Sequence, residues 1–169
     1  LVAAEALLLA RASLTAGDLP TARTLRLSIA EAPTVNLALL DGALAAAGGR
    51  VDAQVLDALV ERGGAGSVPA QGGALILAGL GGTVGPAARA ELARFALPRG
   101  AALPGRSLAL DLAAQAGLKG ETALLALSLD AIAAADRARS VKALAQAGLN
   151  DDARALAVEG LIAQGISAR

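Results

Sequence analysis

The sequence predicts an all-α fold, one domain of about five helical hairpins with a repeat period of about 31 residues. Three observations carry this. The 169 residues include 46 alanines and 32 leucines, the two strongest helix formers, and Phe95 is the only aromatic. The dipeptide Ala-Gly recurs at Ala16-Gly17, Ala47-Gly48, Ala78-Gly79, Ala116-Gly117 and Ala147-Gly148, at intervals of 31, 31, 38 and 31. Each of these five closes one apolar periodic segment and is followed within a few residues by another. Glycine just past a helix is the expected stop, because it accepts the left-handed conformation that closes the last turn.

Each unit therefore reads as helix A, Ala-Gly turn, helix B and a short link, with units at about 1–33, 34–66, 67–98, 104–134 and 135–169. The first hairpin pairs Val2–Ala16 with Pro20–Glu31; Asp18 precedes a Pro suited to the first helical turn. The second pairs Thr34–Ala47 with Val51–Arg62. The third pairs a short or frayed Gly72–Ala78 with Pro86–Leu97, because Gly63–Gly73 is Gly-rich and contains Pro69. The fourth pairs Arg106–Ala116 with Glu121–Ala133, and the fifth pairs Asp136–Ala147 with Asp151–Gln164. Asn150 suits an N-cap, and Asp151 and Asp152 sit where the helix dipole favours carboxylates. Pro33, Pro98 and Pro104 punctuate links, and the seven extra residues of the 38 interval fall on Pro98–Pro104 as a surface loop. Five positions after each repeat glycine stand Ala22, Ala53, Val84, Thr122 and Ala153, small enough to let helices A and B approach closely.

The stretches AGDLPTARTL from Ala16 and AGLNDDARAL from Ala147 place Ala five positions after the turn glycine. In this they resemble the tetratricopeptide-repeat (TPR) superfamily of helical-hairpin α-solenoids. The family unit is longer, and its large aromatic positions are Leu or Ala here. The resemblance implies a right-handed α-α superhelix whose A helices line a concave face. It places Arg11, Asp111 and Lys142 at equivalent inward positions, with Gln115, Arg139 and Gln146 nearby. Gly42 and Gly73 take that position in the second and third units and leave a groove floor without side chains. Mixed charges and amides on an apolar floor suit an extended peptide or a partner helix. The competing reading is that these are ordinary solvated residues of amphipathic helices.

Composition narrows the function classes. Fifteen basic and 15 acidic residues cancel, which argues against nucleic-acid binding driven by bulk charge and against a polybasic membrane attachment. The chain has no His or Cys, which removes imidazole acid–base chemistry, thiol nucleophiles, disulfides and Cys-based zinc sites. The longest uncharged run, Gly63 to Ala88, is too broken by Gly and Pro for a membrane span. Gly79, Gly81 and Gly85 in LILAGLGGTVG approximate a dinucleotide-binding loop, but the spacing is one residue off and the flanks read as helical. Gly63–Ser67 lacks the Lys and Ser/Thr of a phosphate loop, and Ser67 lacks the glycine of a nucleophile elbow. Asp57 and Glu61 share a helix face and could hold a metal or a proton, although a solvated face is the simpler reading. Ser140 and Lys142 are two apart and do not share a helix face.

The expected function is thus a non-enzymatic scaffold or protein-interaction module, part of a longer protein, with a protein or peptide partner and no catalytic residue, metal or cofactor. Self-association through apolar end faces is a further expectation. One alternative is a structural helical domain of an envelope or periplasmic assembly or cell-wall enzyme. Another is a small nucleotide-binding or enzymatic domain using the Gly79–Gly85 loop. The sequence leaves the compartment open: the absence of cysteine fits bacterial cytoplasm and periplasm equally.

Overall fold

A computed structural model describes residues 2–30, 34–94, 105–129 and 133–167. These form ten α-helices, with no strand among the described residues: α1 (Ala3–Thr15), α2 (Leu19–Leu27), α3 (Val35–Ala47), α4 (Ala53–Gly63), α5 (Val68–Gly79), α6 (Pro86–Arg94), α7 (Gly105–Gln115), α8 (Lys119–Ser128), α9 (Ala134–Gln146) and α10 (Asn150–Ser167). None of them is long and apolar enough to cross a membrane. Pro33, Phe95 and the Pro98–Pro104 insertion lie outside the described residues.

Side-chain caps set several starts. Asp18, Thr34, Asp52 and Ser67 each accept a hydrogen bond from the backbone N–H three residues on, at 3.1, 3.3, 3.0 and 3.4 Å. Each satisfies one of the orphan donors of a first turn. Asp52 is thus the cap of α4, which starts two residues later than Val51. Asn150 is the first residue of α10, not its cap.

The Ala-Gly turns are real, but the left-handed residue moves. Gly17, Gly117 and Gly148 have φ of 78°, 68° and 80°. In the second and third hairpins that role falls to Gly49 and Gly81, at 67° and 86°, while Gly79 ends α5 as a helical residue.

The third A helix is a full helix, not a frayed one. Ser67 caps it, Pro69 sits in its first turn, and Gly72 and Gly73 are buried within it. A Cβ on Gly73 would fall 2.7 Å from Leu39 Cδ2 and 3.1 Å from Leu161 Cδ2; one on Gly72 would fall 2.8 Å from Gln164 Oε1. Each helical glycine costs about 1 kcal/mol relative to Ala. Full burial of one Leu contributes about 1.5–3 kcal/mol. Seating Leu161, which is fully buried, therefore offsets much of that cost.

Helix adjacency does not follow a linear stack. α1, α3 and α5 lie side by side, and α4 packs on α3, α5 and α6. The fifth hairpin then takes the next place: α9 packs on α5, and α10 packs on α3, α5 and α1. Among the described residues, α7 and α8 touch each other and α9 only. The cause lies in α3 and α5, which are apolar nearly all round and need cover on more than one side. α3 buries Leu37, Ala38, Leu39, Leu40, Ala43 and Ala46, and α5 buries Ala70, Ala74, Ile76 and Leu77. The groove floor expected at Gly42 and Gly73 is accordingly occupied: Leu59 of α4 and Leu161 of α10 lie over both glycines. The α7/α8 hairpin packs through a separate small cluster of Leu110, Ala114 and Ala143. It leaves Leu108, Leu112, Leu124 and Leu127 exposed. Of the small residues after the turns, Ala22, Thr122 and Ala153 are fully buried.

The close approach of α5 and α9 sets a test. A Cβ on Gly79 would fall 2.6 Å from the Ala138 carbonyl oxygen, a backbone atom that cannot swing aside. On an open helix face Gly→Ala gains up to about 1 kcal/mol; here overpacking of about 1–3 kcal/mol should reverse the sign. Urea denaturation should show Gly79→Ala destabilised and Gly120→Ala, where a Cβ meets nothing within 4 Å, stabilised. Equal shifts for the two would refute the tight α5–α9 contact.

Candidate functional site

The two packing modes of the last hairpins create a cleft. α9 is wedged between α5 and α7, and the space above it has a volume of about 510 Å³. α5 contributes Leu75, Ala78 and Gly79; α7 contributes Asp111 and Gln115; α9 contributes Ala135, Ala138, Arg139, Lys142, Ala143 and Gln146. The α9 residues recur at helical spacing, so they form one stripe along the cleft. Ala135 and Ala138 mark its apolar end, and Lys142 and Gln146 its polar end.

Five of the six residues expected to bind a partner therefore come together: Asp111, Gln115, Arg139, Lys142 and Gln146. Asp111 and Lys142, like Gln115 and Gln146, stand 31 positions apart in corresponding turns of adjacent A helices. Arg11 is elsewhere. Its Nη2 donates to Asn36 Oδ1 at 3.0 Å, and its guanidinium lies against Gly165 of α10. Its expected neighbours Gly42 and Gly73 are covered for the same reason, because α10 lies across that part of the A-helix row.

The electrostatics of the cleft are uneven. Arg139 Nε lies 3.7 Å from Asp111 Oδ2, an ion pair joining α9 to α7. Both partners are about one-third exposed, so the pair contributes at most about 1 kcal/mol. Lys142 is exposed and has no carboxylate within ion-pair distance among the described residues. Gln115 and Gln146 are exposed, each with a donor and an acceptor open to a ligand. The apolar lining from α5 was not foreseen. Its only sequence signal is the Ala-Gly pair at Ala78-Gly79, which marks a close helix approach as well as a turn.

The other sequence candidates have structural work. Leu75–Gly79 is helix, whereas a dinucleotide loop follows a strand. At the start of α6, where a phosphate would have to sit, Asp57 Oδ1 accepts from Ala88 N–H at 2.9 Å, and its carboxylate fills the space beside Gly85. A carboxylate already occupies that anion-seeking helix end. Asp57 is thereby separated in role from exposed Glu61. Asp151 is ion-paired with Arg154 at the start of α10. Ser140 is fully buried while Lys142 is exposed, and the Ser140 hydroxyl has no hydrogen-bond partner among the described residues. Among the described residues no group of three or more acidic side chains could hold a metal.

The Gly-rich approach to α5 is tied down by Glu91 of α6. Its buried carboxylate accepts from Gln71 Nε2 at 2.9 Å, Gly66 N–H at 3.3 Å and Arg94 Nη1 at 2.7 Å. The Gln71 bond above all, then the Gly66 bond, holds the Glu91 pKa below the ordinary glutamate value despite burial. Hydrogen bonds from Thr21 lower Asp18 in the same way.

No family model matches this chain, and neither the curated proteins nor the solved structures include a match.

A depressed native pKa contributes stability that is present above the ordinary carboxylate range and lost as pH falls through the lowered value. Tm measured against pH should therefore fall as acid titrates Glu91. Glu91→Gln should have a lower Tm at neutral pH and a shallower acid decline, so that the two curves converge at low pH. Parallel curves would show that Glu91 is not held in its charged form.

Proposed function

We propose that this chain is a non-enzymatic helical-hairpin scaffold that holds an extended segment of a partner protein in the cleft between α5, α7 and α9. The observation that carries this reading is the convergence of two repeat-equivalent pairs, Asp111 with Lys142 and Gln115 with Gln146, on one cleft with an apolar floor. In this reading the hairpins are TPR-like units of about 31 residues. The side-by-side order of α1, α3 and α5 supports the start of a hairpin stack, and the fifth hairpin takes the place of the fourth.

Chemistry favours an extended segment over a helix: each glutamine offers donor and acceptor groups, the complement of a peptide group that a helix keeps for its own hydrogen bonds. The absence of imidazole and thiol groups from the sequence supports binding over catalysis. The exposed leucines of α1 and α2 (Leu8, Leu9, Leu27) and of α7 and α8 support apolar end faces that seek neighbours.

Selection from a displayed library of random dodecapeptides tests this. Two direct hydrogen bonds are worth about 1–3 kcal/mol together, so Gln115→Ala with Gln146→Ala should weaken selected peptides by at least about fivefold. Arg50→Ala, on an exposed residue outside the cleft, should not. Unchanged affinity in the double variant would remove the cleft from the reading.

A further inference from the structure

The charge pattern of the cleft specifies its ligand further, resting on the reading above. Among the described residues Asp111 is the only acid in the lining, and it is matched by Arg139 at 3.7 Å. Lys142 is the remaining charge of that lining, so the cleft carries one uncompensated cation among the described residues. The apolar floor, Leu75 and Ala78 of α5 with Ala135 and Ala138 of α9, lies toward the N-terminal side of that lysine along α9.

Distances along α9 convert into a sequence spacing. Ala138 and Lys142 are four residues apart, about 6 Å along the axis at 1.5 Å per residue. An extended chain advances about 6.6 Å in two residues, and side chains two apart point the same way. We propose that the bound segment is an extended acidic peptide with an apolar side chain and a carboxylate two residues apart. The apolar side chain rests on Leu75, Ala78 and Ala138, and the carboxylate pairs with Lys142. The glutamine pair at the far end takes backbone groups of the same segment. From Ala135 to Gln146 the stripe is about 16 Å long, room for about five extended residues.

The test uses capped, fluorescein-labelled heptapeptides of Ser and Gly that carry Leu and, two residues on, Glu, Gln or Lys. A fourth peptide carries Leu and Glu side by side. All four are also made in reverse order. Fluorescence polarisation at low ionic strength should rank Glu over Lys by about fivefold, the scale of a solvent-exposed ion pair. The adjacent Leu and Glu should bind more weakly than the spaced pair. The preference should shrink in 0.5 M salt, where the Debye length falls to about 4 Å. Lys142→Glu should reverse the ranking. Ala135→Trp, which fills the apolar end, should abolish binding while circular dichroism stays unchanged.

Equal affinity for the Glu, Gln and Lys peptides, all lost in Ala135→Trp, would overturn the acidic assignment and leave the cleft reading standing. No binding by any peptide, or binding untouched by Ala135→Trp, would overturn both. Probe binding that weakens as protein concentration rises would show a second copy occupying the cleft, and would also overturn the proposal.

Discussion

The packing of α10 over α3 and α5 is the contact on which the rest of the molecule depends. Two helices that are apolar nearly all round cannot be covered by their hairpin partners alone. Leu161, with Leu59 from α4, reaches the seam between them, and Gly42 and Gly73 leave it room. Once α10 is committed there, α9 must lie beside α5, and the fourth hairpin is displaced to the flank of α9. The cleft follows from that displacement, since it is the space left between α5 and α7 with α9 as its floor.

A core built almost wholly from Ala and Leu achieves this through backbone proximity rather than side-chain bulk. At Gly79 and Ala138 two helices approach so closely that one methyl group would collide with a carbonyl. Packing at near-crystalline density makes such contacts sensitive to single methylene changes. Glycine in α5 therefore marks where neighbours press in, not where the helix breaks. The Gly-rich approach to α5 is held in the same economical way, by one buried carboxylate that gathers Gln71, Gly66 and Arg94.

The candidate site was partly legible. The 31-residue offset aligned Asp111 with Lys142 and Gln115 with Gln146 because those residues belong to α7 and α9, which do lie side by side. The same offset failed for Arg11. It assumed that every A helix presents the residue five before its Ala-Gly turn to a common groove, and α10 fills that groove at the first three hairpins. The apolar lining from Leu75 and Ala78 was not foreseen, because it depends on α5 and α9 being neighbours across a long stretch of chain.

What the sequence by itself determined was local. Helix formation, the positions of the hairpin turns and most helix boundaries follow from propensity, from Asp, Ser and Thr caps and from left-handed glycines, and all of these act within a few residues. The tertiary structure decided which hairpin sits beside which, and therefore where a ligand could enter. Burial is non-directional, and in an alphabet of alanine and leucine one apolar helix face is much like another. Only the fit of particular glycines to particular leucines, Gly73 to Leu161 above all, selected one neighbour from several.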